Sequence, residues 1–346
     1  MSEGSVFRRK DGKWCGKYKD LDGRYRYLYR RTKSEVRLAL REAIQDRDDG
    51  IISVDNLTMG LLLDQKLENT RNTISYRTWI NQESIIRLHV KPYLGSKKLS
   101  ELSPEDVRVL YRIKLLELSS KTVKRIHTIL NQVLREAVAS KYLRSNPLDH
   151  VKPPKEFRSE RKVLTPDQVG LLLDTVKGHR CEGVFVLGVS CALRIGEILA
   201  LRWEDIDFSR GTLQVNRTLW RGNVYPPKTS SSRRTIRLPE IALEVLRRNQ
   251  RDQGWVFPTS GNKPLAAHNF HKCYWKRTLR EARLPDITFH QLRHTSASLL
   301  LNSGVPVIAV SKYLGHADSG VTMRTYAHLI EGMDGLAAEG MNQILS

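Results

Sequence analysis

Thr288–His328, TFHQLRHTSASLLLNSGVPVIAVSKYLGHADSGVTMRTYAH, is the stretch whose reading decides this protein. Thr288 with Gln291 three residues on forms a capping-box start, which predicts a helix running toward Gly304, a residue that suits its end. His290 and Arg293 stand i, i+3 apart on its first turn. That spacing aims an imidazole and a guanidinium at one place, while Leu292, Leu299 and Leu300 take the core side. Pro306 suits the first turn of a second short helix and Gly315 its left-handed exit. His316 then projects from a sharp turn after an apolar seam of Ile308, Val310 and Leu314. Tyr326, ten residues later, falls in another helix.

Each of these residues has an ordinary explanation. A helical His is more often a core or capping residue, a Tyr is more often packing, and an Arg more often a solvated face. His290 and His294 also have the i, i+4 spacing of zinc ligands. The Glu that a zincin places directly after its first His is here Gln291, which argues against a metal site.

The chain of 346 residues is long enough for two or three domains with real cores. Its 58 Lys and Arg against 37 Asp and Glu give a net charge of +21 and a pI near 10.0, a balance that favours a polyanion such as nucleic acid. Mere solubility explains this poorly, since the basic excess runs through every segment. Cys15, Cys181, Cys191 and Cys273 show neither CxxC pairing nor secretory spacing, so reduced thiols in a cytosolic setting are expected. The longest apolar run, Val184 to Leu193, is too short to span a bilayer and reads as a buried helix ending at Arg194.

Residues 1–52 read as a small basic module. Asp11-Gly12 and Asp22-Gly23 are hairpin turns, and Arg24–Arg30 alternates with period two, putting Tyr25, Tyr27 and Tyr29 on one face. Thr32 with Glu35 caps a helix through about Asp48. Residues 1–33 hold eleven Lys and Arg against four acids, so the sheet reads either as a solvated basic face or as one that enters a DNA groove. Residues 56–150 carry helical signals. Ser103-Pro104-Glu105-Asp106 starts one helix, and Lys121–Ala139 carries Val123, Ile126, Leu130, Val133 and Ala137 on one stripe. Residues 151–162 are polar, basic and proline-bearing, a linker.

The remainder, 163–346, opens on a helix capped by Thr165. Burying an unpaired guanidinium costs several kcal/mol or more, so Arg194 at the end of an apolar helix needs a partner: Glu197, a phosphate, or both. Strands over Gly211–Leu219 and Arg234–Leu238 bracket Lys228 at a hairpin tip, where it is either a solvated turn residue or a mobile group carried into a cleft. In Ile330–Ser346, the residues Met333, Leu336, Met341 and Ile344 can anchor a terminal helix on its own domain or on a neighbouring copy.

Five motifs in order carry a resemblance: LRIGE around Arg194, KTSSSRR from Lys228, HQLRH from His290, LGH ending at His316, and TMRTYAH around Tyr326. Together they resemble the tyrosine site-specific recombinases, specifically the phage-type integrases. The resemblance implies a multidomain α+β chain. Its parts are a basic N-terminal three-stranded sheet plus helix for arm-type DNA sites (1–52), a helical core-site-binding domain (56–150), and a mainly helical catalytic domain with a small antiparallel sheet (163–346). It further implies an integrase for phage or mobile-element DNA, with Arg194, Lys228, His290, Arg293, His316 and Tyr326 as catalytic residues and Tyr326 as nucleophile. Tyr326 would take the 3′ side of the break as phosphotyrosine, and Lys228 would protonate the departing 5′ oxygen. The residue types suit that chemistry. A phosphodiester under attack gathers charge on its non-bridging oxygens, and the planar forks of Arg194 and Arg293 supply fixed cations there. His290 and His316 can donate hydrogen bonds or accept the phenol proton. The expected partners are double-stranded DNA, three further copies in a tetramer, and a DNA-bending accessory protein, with no cofactor, no metal and no membrane. The expected setting is the nucleoid of a bacterial cytoplasm. A catalytically silent DNA-binding regulator on the same fold would share the charge without needing Tyr326 and both arginines, and a single-site topoisomerase would relax DNA without joining sites.

Overall fold

A computed structural model describes residues 4–51, 56–156, 162–227, 233–316, 318–330 and 334–345. The chain forms two compact units, Met1–Arg158 and Ser159–Ser346.

The first unit begins with an antiparallel sheet of β1 (Ser5–Arg8), β2 (Trp14–Lys19) and β3 (Tyr25–Arg30), ordered β1-β2-β3. Both tight turns hold glycine at positive φ, Gly12 at 81° and Gly23 at 77°. Helix α1 (Lys33–Asp48) starts on the expected Thr32/Glu35 capping box and lays Val36 and Leu40 on one face of the sheet. A Cβ at Gly16 would come within 3.0 Å of Val36 Cγ1, so the absence of a side chain on β2 sets how closely α1 docks. On the other face Tyr25, Tyr27 and Tyr29 stay about half exposed, and Lys17 Nζ sits 3.8 Å from the Tyr25 ring centroid.

The helical part follows with α2 (Met59–Thr70), α3 (Tyr76–Ile85, continuing through a π turn at Ile86–Val90 into Lys91–Leu94), α4 (Pro104–Glu117) and α5 (Ser120–Ala139). Helix α5 is amphipathic as expected. Val123, Ile126, Leu130, Val133 and Ala137 are buried together with Ile129 and Leu134, while Lys121, Lys124, Arg125 and Arg135 are exposed. Fully burying a side chain such as Ile126 contributes about 1.5–3 kcal/mol, so this face holds the bundle together and leaves the cations outward.

The second unit is built around α7 (Glu182–Ser190), preceded by α6 (Pro166–Val176). Every residue of α7 up to Val189 is buried, as a helix apolar on all sides must be. Phe185 stacks on Trp275 at 5.7 Å, and the Trp275 indole N–H donates to the Ile287 carbonyl at 2.9 Å. The sequence expectation that this helix runs to Arg194 is corrected. The helix stops at Ser190, Ala192 turns to a left-handed φ of 51°, and Arg194 instead caps the short helix α8 (Ile195–Ile198).

The strand expected over Gly211–Leu219 is divided. The chain gives β4 (Ile206–Asp207), β5 (Thr212–Val215), the hairpin β6 (Thr218–Trp220) and β7 (Asn223–Tyr225), then β8 (Arg234–Arg237), with sheet order β4-β5-β8. Lys228 lies outside the described residues. Helix α9 (Glu240–Arg248) and the continuous helix α10 (Ala267–Phe270, His271–Trp275 and Lys276–Glu281) complete the walls around α7.

The deciding stretch folds into α11 (Phe289–Asn302), α12 (Val307–Leu314) and α13 (Ser319–Ile330), followed by α14 (Asp334–Leu345). The Thr288 backbone N–H donates to Gln291 Oε1 at 2.6 Å, closing the predicted cap. Two details differ from expectation. Pro306 caps α12 from outside its first turn, and Ile308 points to solvent at 61% exposure, so of the three expected seam residues Val310 and Leu314 are buried. Among the described residues no helix is long and apolar enough to cross a membrane.

Candidate active site

Arg293 lies at the centre. Although it follows His290 by one helical turn, it is buried at 3% exposure while His290 is exposed, because α11 packs its Arg293 side against the Ala192 turn and the end of α12. Its guanidinium donates from Nη1 to the Ala192 carbonyl at 2.8 Å and from Nη2 to the Leu314 carbonyl. A left-handed alanine costs roughly 1–2 kcal/mol. Here that conformation presents its carbonyl to Arg293, and the fully buried methyl group fixes it in the core.

Arg194 stands at the lip of the same site. Its Nη1 donates to Glu197 Oε1 at 2.7 Å and its backbone N–H to Glu197 Oε2 at 3.1 Å, while its side chain remains 39% exposed. Glu197 is therefore the protein partner that the sequence required, and the exposed guanidinium edge can still meet an anion.

A third arginine joins them that the sequence reading did not single out. Arg234 Nη2 donates to Glu197 Oε2 at 3.1 Å, and this pair is buried, with side-chain exposures of 8% and 4%. Burial by itself would raise the Glu197 pKa, but Arg234 and then Arg194 overcome it and hold the carboxyl below its ordinary value. Arg234 also lies along the turn after α12. Gly315 has φ 67°, and a Cβ there would meet Arg234 Cδ at 2.8 Å, so glycine is needed both for the turn and for the arginine's passage. The signal was present in the sequence. In Arg234-Thr-Ile-Arg-Leu238 the period of two puts Arg234 in phase with Ile236 and Leu238, both buried.

His316 follows Gly315. Its Nδ1 and Thr322 Oγ1 share a 2.7 Å hydrogen bond. Its pKa is pushed down to about 4, first by burial and then by Arg293, Arg194, Arg234 and His290. Burial, then Arg194 and Arg234, pull Arg293 down to about 9, still charged at neutral pH. Arg194, His290 and Arg293 thus all act on His316, and Tyr326 is among the groups acting on Arg293.

Tyr326 is buried at 3% exposure inside α13, at a kink where its own backbone leaves helical values at φ −123° and ψ 15°. Its phenol oxygen lies 2.6 Å from His294 Nδ1, and His294 packs edge to face on His290 with ring centroids 5.2 Å apart. The sequence had weighed His294 only as a metal ligand. Of the six expected site residues, the fold brings five together: Arg194, His290, Arg293, His316 and Tyr326. It adds Glu197, Arg234 and His294, and Lys228 is the one outside the described residues.

With this geometry in place, the comparisons decide the family. The phage integrase family matches over residues 162–332, and the SAM-like N-terminal domain of phage integrases over residues 58–115. The chain belongs to the phage integrase family. This integrase is 29% identical to a XerC-like tyrosine recombinase of Caldanaerobacter subterraneus subsp. tengcongensis, over 92% of its own length and 91% of that protein's. It is 25% identical to the transposase of transposon Tn916 of Enterococcus faecalis, over 93% and 90% of the two chains. Its fold is similar to the Tn1549 transposon integrase in complex with a circular intermediate DNA, with TM-score 0.72 and 22% identity over 84% of this chain and all of that one. It is also similar to lambda integrase in a tetramer bound to a Holliday junction, with TM-score 0.65 and 22% identity over 91% and 96% of the two chains. The integrase is accordingly a tyrosine-type recombinase, an enzyme of DNA strand exchange.

Proposed function

We propose that this integrase cuts and rejoins double-stranded DNA at specific sites through a 3′-phosphotyrosyl link on Tyr326, inserting and excising phage or mobile-element DNA. The observation that carries the reading is that the buried Arg293 feels both Tyr326 and Arg194, while Arg293 and Arg194 together act on His316. In that reading Tyr326 Oη attacks phosphorus, and Arg194 and Arg293 hold the non-bridging oxygens. Two of Arg293's five N–H donors are taken by carbonyls, which orients the fork and leaves donors for phosphate. His316, kept neutral, donates a hydrogen bond to the same phosphate, and His290 lines the exposed side. Lys228 protonates the departing 5′ oxygen. The link keeps the bond energy, so another strand's 5′ hydroxyl reverses the step without ATP.

The domains divide the DNA: 1–52 for arm-type sites, 56–150 for core-type sites, 151–162 as linker and 163–346 for catalysis. Support comes from the Lys17, Lys19 and tyrosine face of the N-terminal sheet and from the exposed cations of α5. The working form is a tetramer on DNA, aided by a DNA-bending protein, in the bacterial cytoplasm. A nicked substrate that traps the covalent adduct, followed by peptide mapping, tests the proposal. The adduct maps to Tyr326 and disappears in Tyr326→Phe while DNA binding persists; an SDS-resistant complex in the Phe variant overturns it.

A further inference from the structure

The Tyr326 phenol must lose a proton as it attacks, and the site offers three histidines for it. His316 is a poor acceptor. Its Nδ1 is engaged by Thr322, and its basicity is suppressed by burial and by the three arginines around it. His290 is exposed and stands edge to face against His294, with ring centroids 5.2 Å apart. His294 Nδ1 lies 2.6 Å from the phenol oxygen, within the range a general base needs. The contact is also built. Arg293, the adjacent residue, is pinned by two carbonyls, and Tyr326 sits at the kink of α13, so both partners are held by the elements that carry them.

We propose that His294 is a catalytic residue of this integrase, the general base that takes the phenol proton of Tyr326. The inference rests on the reading of Tyr326 as nucleophile. In this step a neutral His294 with its proton on Nε2 accepts the Tyr326 Oη–H at Nδ1. As Oη forms its bond to phosphorus, the O–H bond breaks and Nδ1 receives the proton. The phosphorus bond to the 5′ oxygen breaks in the same displacement, and that oxygen takes a proton from its own donor. In the reverse step His294 returns the proton to Oη as the incoming 5′ hydroxyl displaces it. The three histidines then have separate work: His294 as base, His316 as neutral donor, His290 on the solvent side.

The test uses the full chain on a nicked trapping substrate under single-turnover conditions. His294→Gln is the main variant, because its side chain can still hydrogen-bond the phenol but cannot carry the proton. Adduct formation should slow by roughly 10²–10⁴-fold with DNA affinity unchanged. The same variant is then made with a polyfluorinated tyrosine at position 326, whose phenol ionises near neutral pH and needs no base. There His294→Gln and the parent should react within a few fold of each other. A defect of equal size with both phenols makes His294 a positioning residue and overturns the proposal, as does an undiminished rate with ordinary tyrosine. His294→Asn serves if the Gln variant is unstable. Adduct persisting in Tyr326→Phe is the separate failure, that of the nucleophile reading itself.

Discussion

Arg234 donates to Glu197 Oε2 at 3.1 Å inside the core, and the other oxygen of that carboxylate holds Arg194 at 2.7 Å, so a buried arginine positions an exposed one through a shared anion. Removing one member of a buried pair leaves the other desolvated. Arg234→Ala should destabilise the catalytic unit by about 3–5 kcal/mol. For a unit of this size that lowers Tm by about 6–20 °C. Thermal melting checks this, and Arg234→Lys should fall between, since an ammonium restores charge without the planar fork. A melting temperature unchanged in Arg234→Ala would mean that Arg194 alone suffices for Glu197.

His316 gives the stability a pH signature. Its folded pKa of about 4 lies below its ordinary 6.5, so the unfolded chain binds the proton more readily than the folded one between those values. Its contribution is complete above pH 6.5 and is lost as pH falls toward 4. Urea unfolding at pH 7, 5.5 and 4.5 should show a steeper decline for the parent than for His316→Gln, which cannot titrate. Parallel declines would show that His316 is as easily protonated folded as unfolded.

Much of this fold was legible in the sequence because the signals were local. The Thr32, Ser103, Thr165 and Thr288 caps are closed within three residues, and the α5 stripe depends only on helical period. What escaped is non-local. Arg293 turns inward while His290 stays outside because carbonyls from Ala192 and Leu314, distant in sequence, meet it. Ala192 adopts a conformation that no alanine signals. The role of His294 depended on a tyrosine 32 residues away arriving at its ring. Arg234 was the avoidable omission, since strand alternation already turned it inward with Ile236.

The N-terminal sheet offers a test of where its DNA contact lies. Lys17 and Lys19 pair across the β2/β3 register with Tyr27 and Tyr25, and Lys17 and Lys19 both lie over the Tyr25 ring, at 3.8 and 5.3 Å. Reversing both charges, Lys17→Glu with Lys19→Glu, should abolish footprints at a second class of site while core-site protection and cleavage remain. The substitutions are at the solvent face, opposite Val36 and Leu40, so the module should keep its fold by circular dichroism. Identical footprints for parent and variant would make this face a solvated surface.

Lys228, in the KTSSSRR segment, has two roles to be separated: general acid for the departing oxygen, or cation that clamps the phosphate. An alkoxide leaves poorly, so loss of its proton donor should slow cleavage by roughly 10²–10⁴-fold. A thiolate leaves readily and needs no proton. With sulfur in place of the bridging 5′ oxygen, Lys228→Ala should therefore cleave close to the parent rate while remaining severely slow on ordinary DNA. A clamp behaves differently, because lost charge stabilisation slows both substrates by similar factors. Arg194→Ala supplies the comparison, since a guanidinium held by Glu197 at the lip of the site acts by charge and sulfur should rescue it little. Equal defects of Lys228→Ala on the two substrates would remove the acid role. The donor would then have to be sought at His290 or His316.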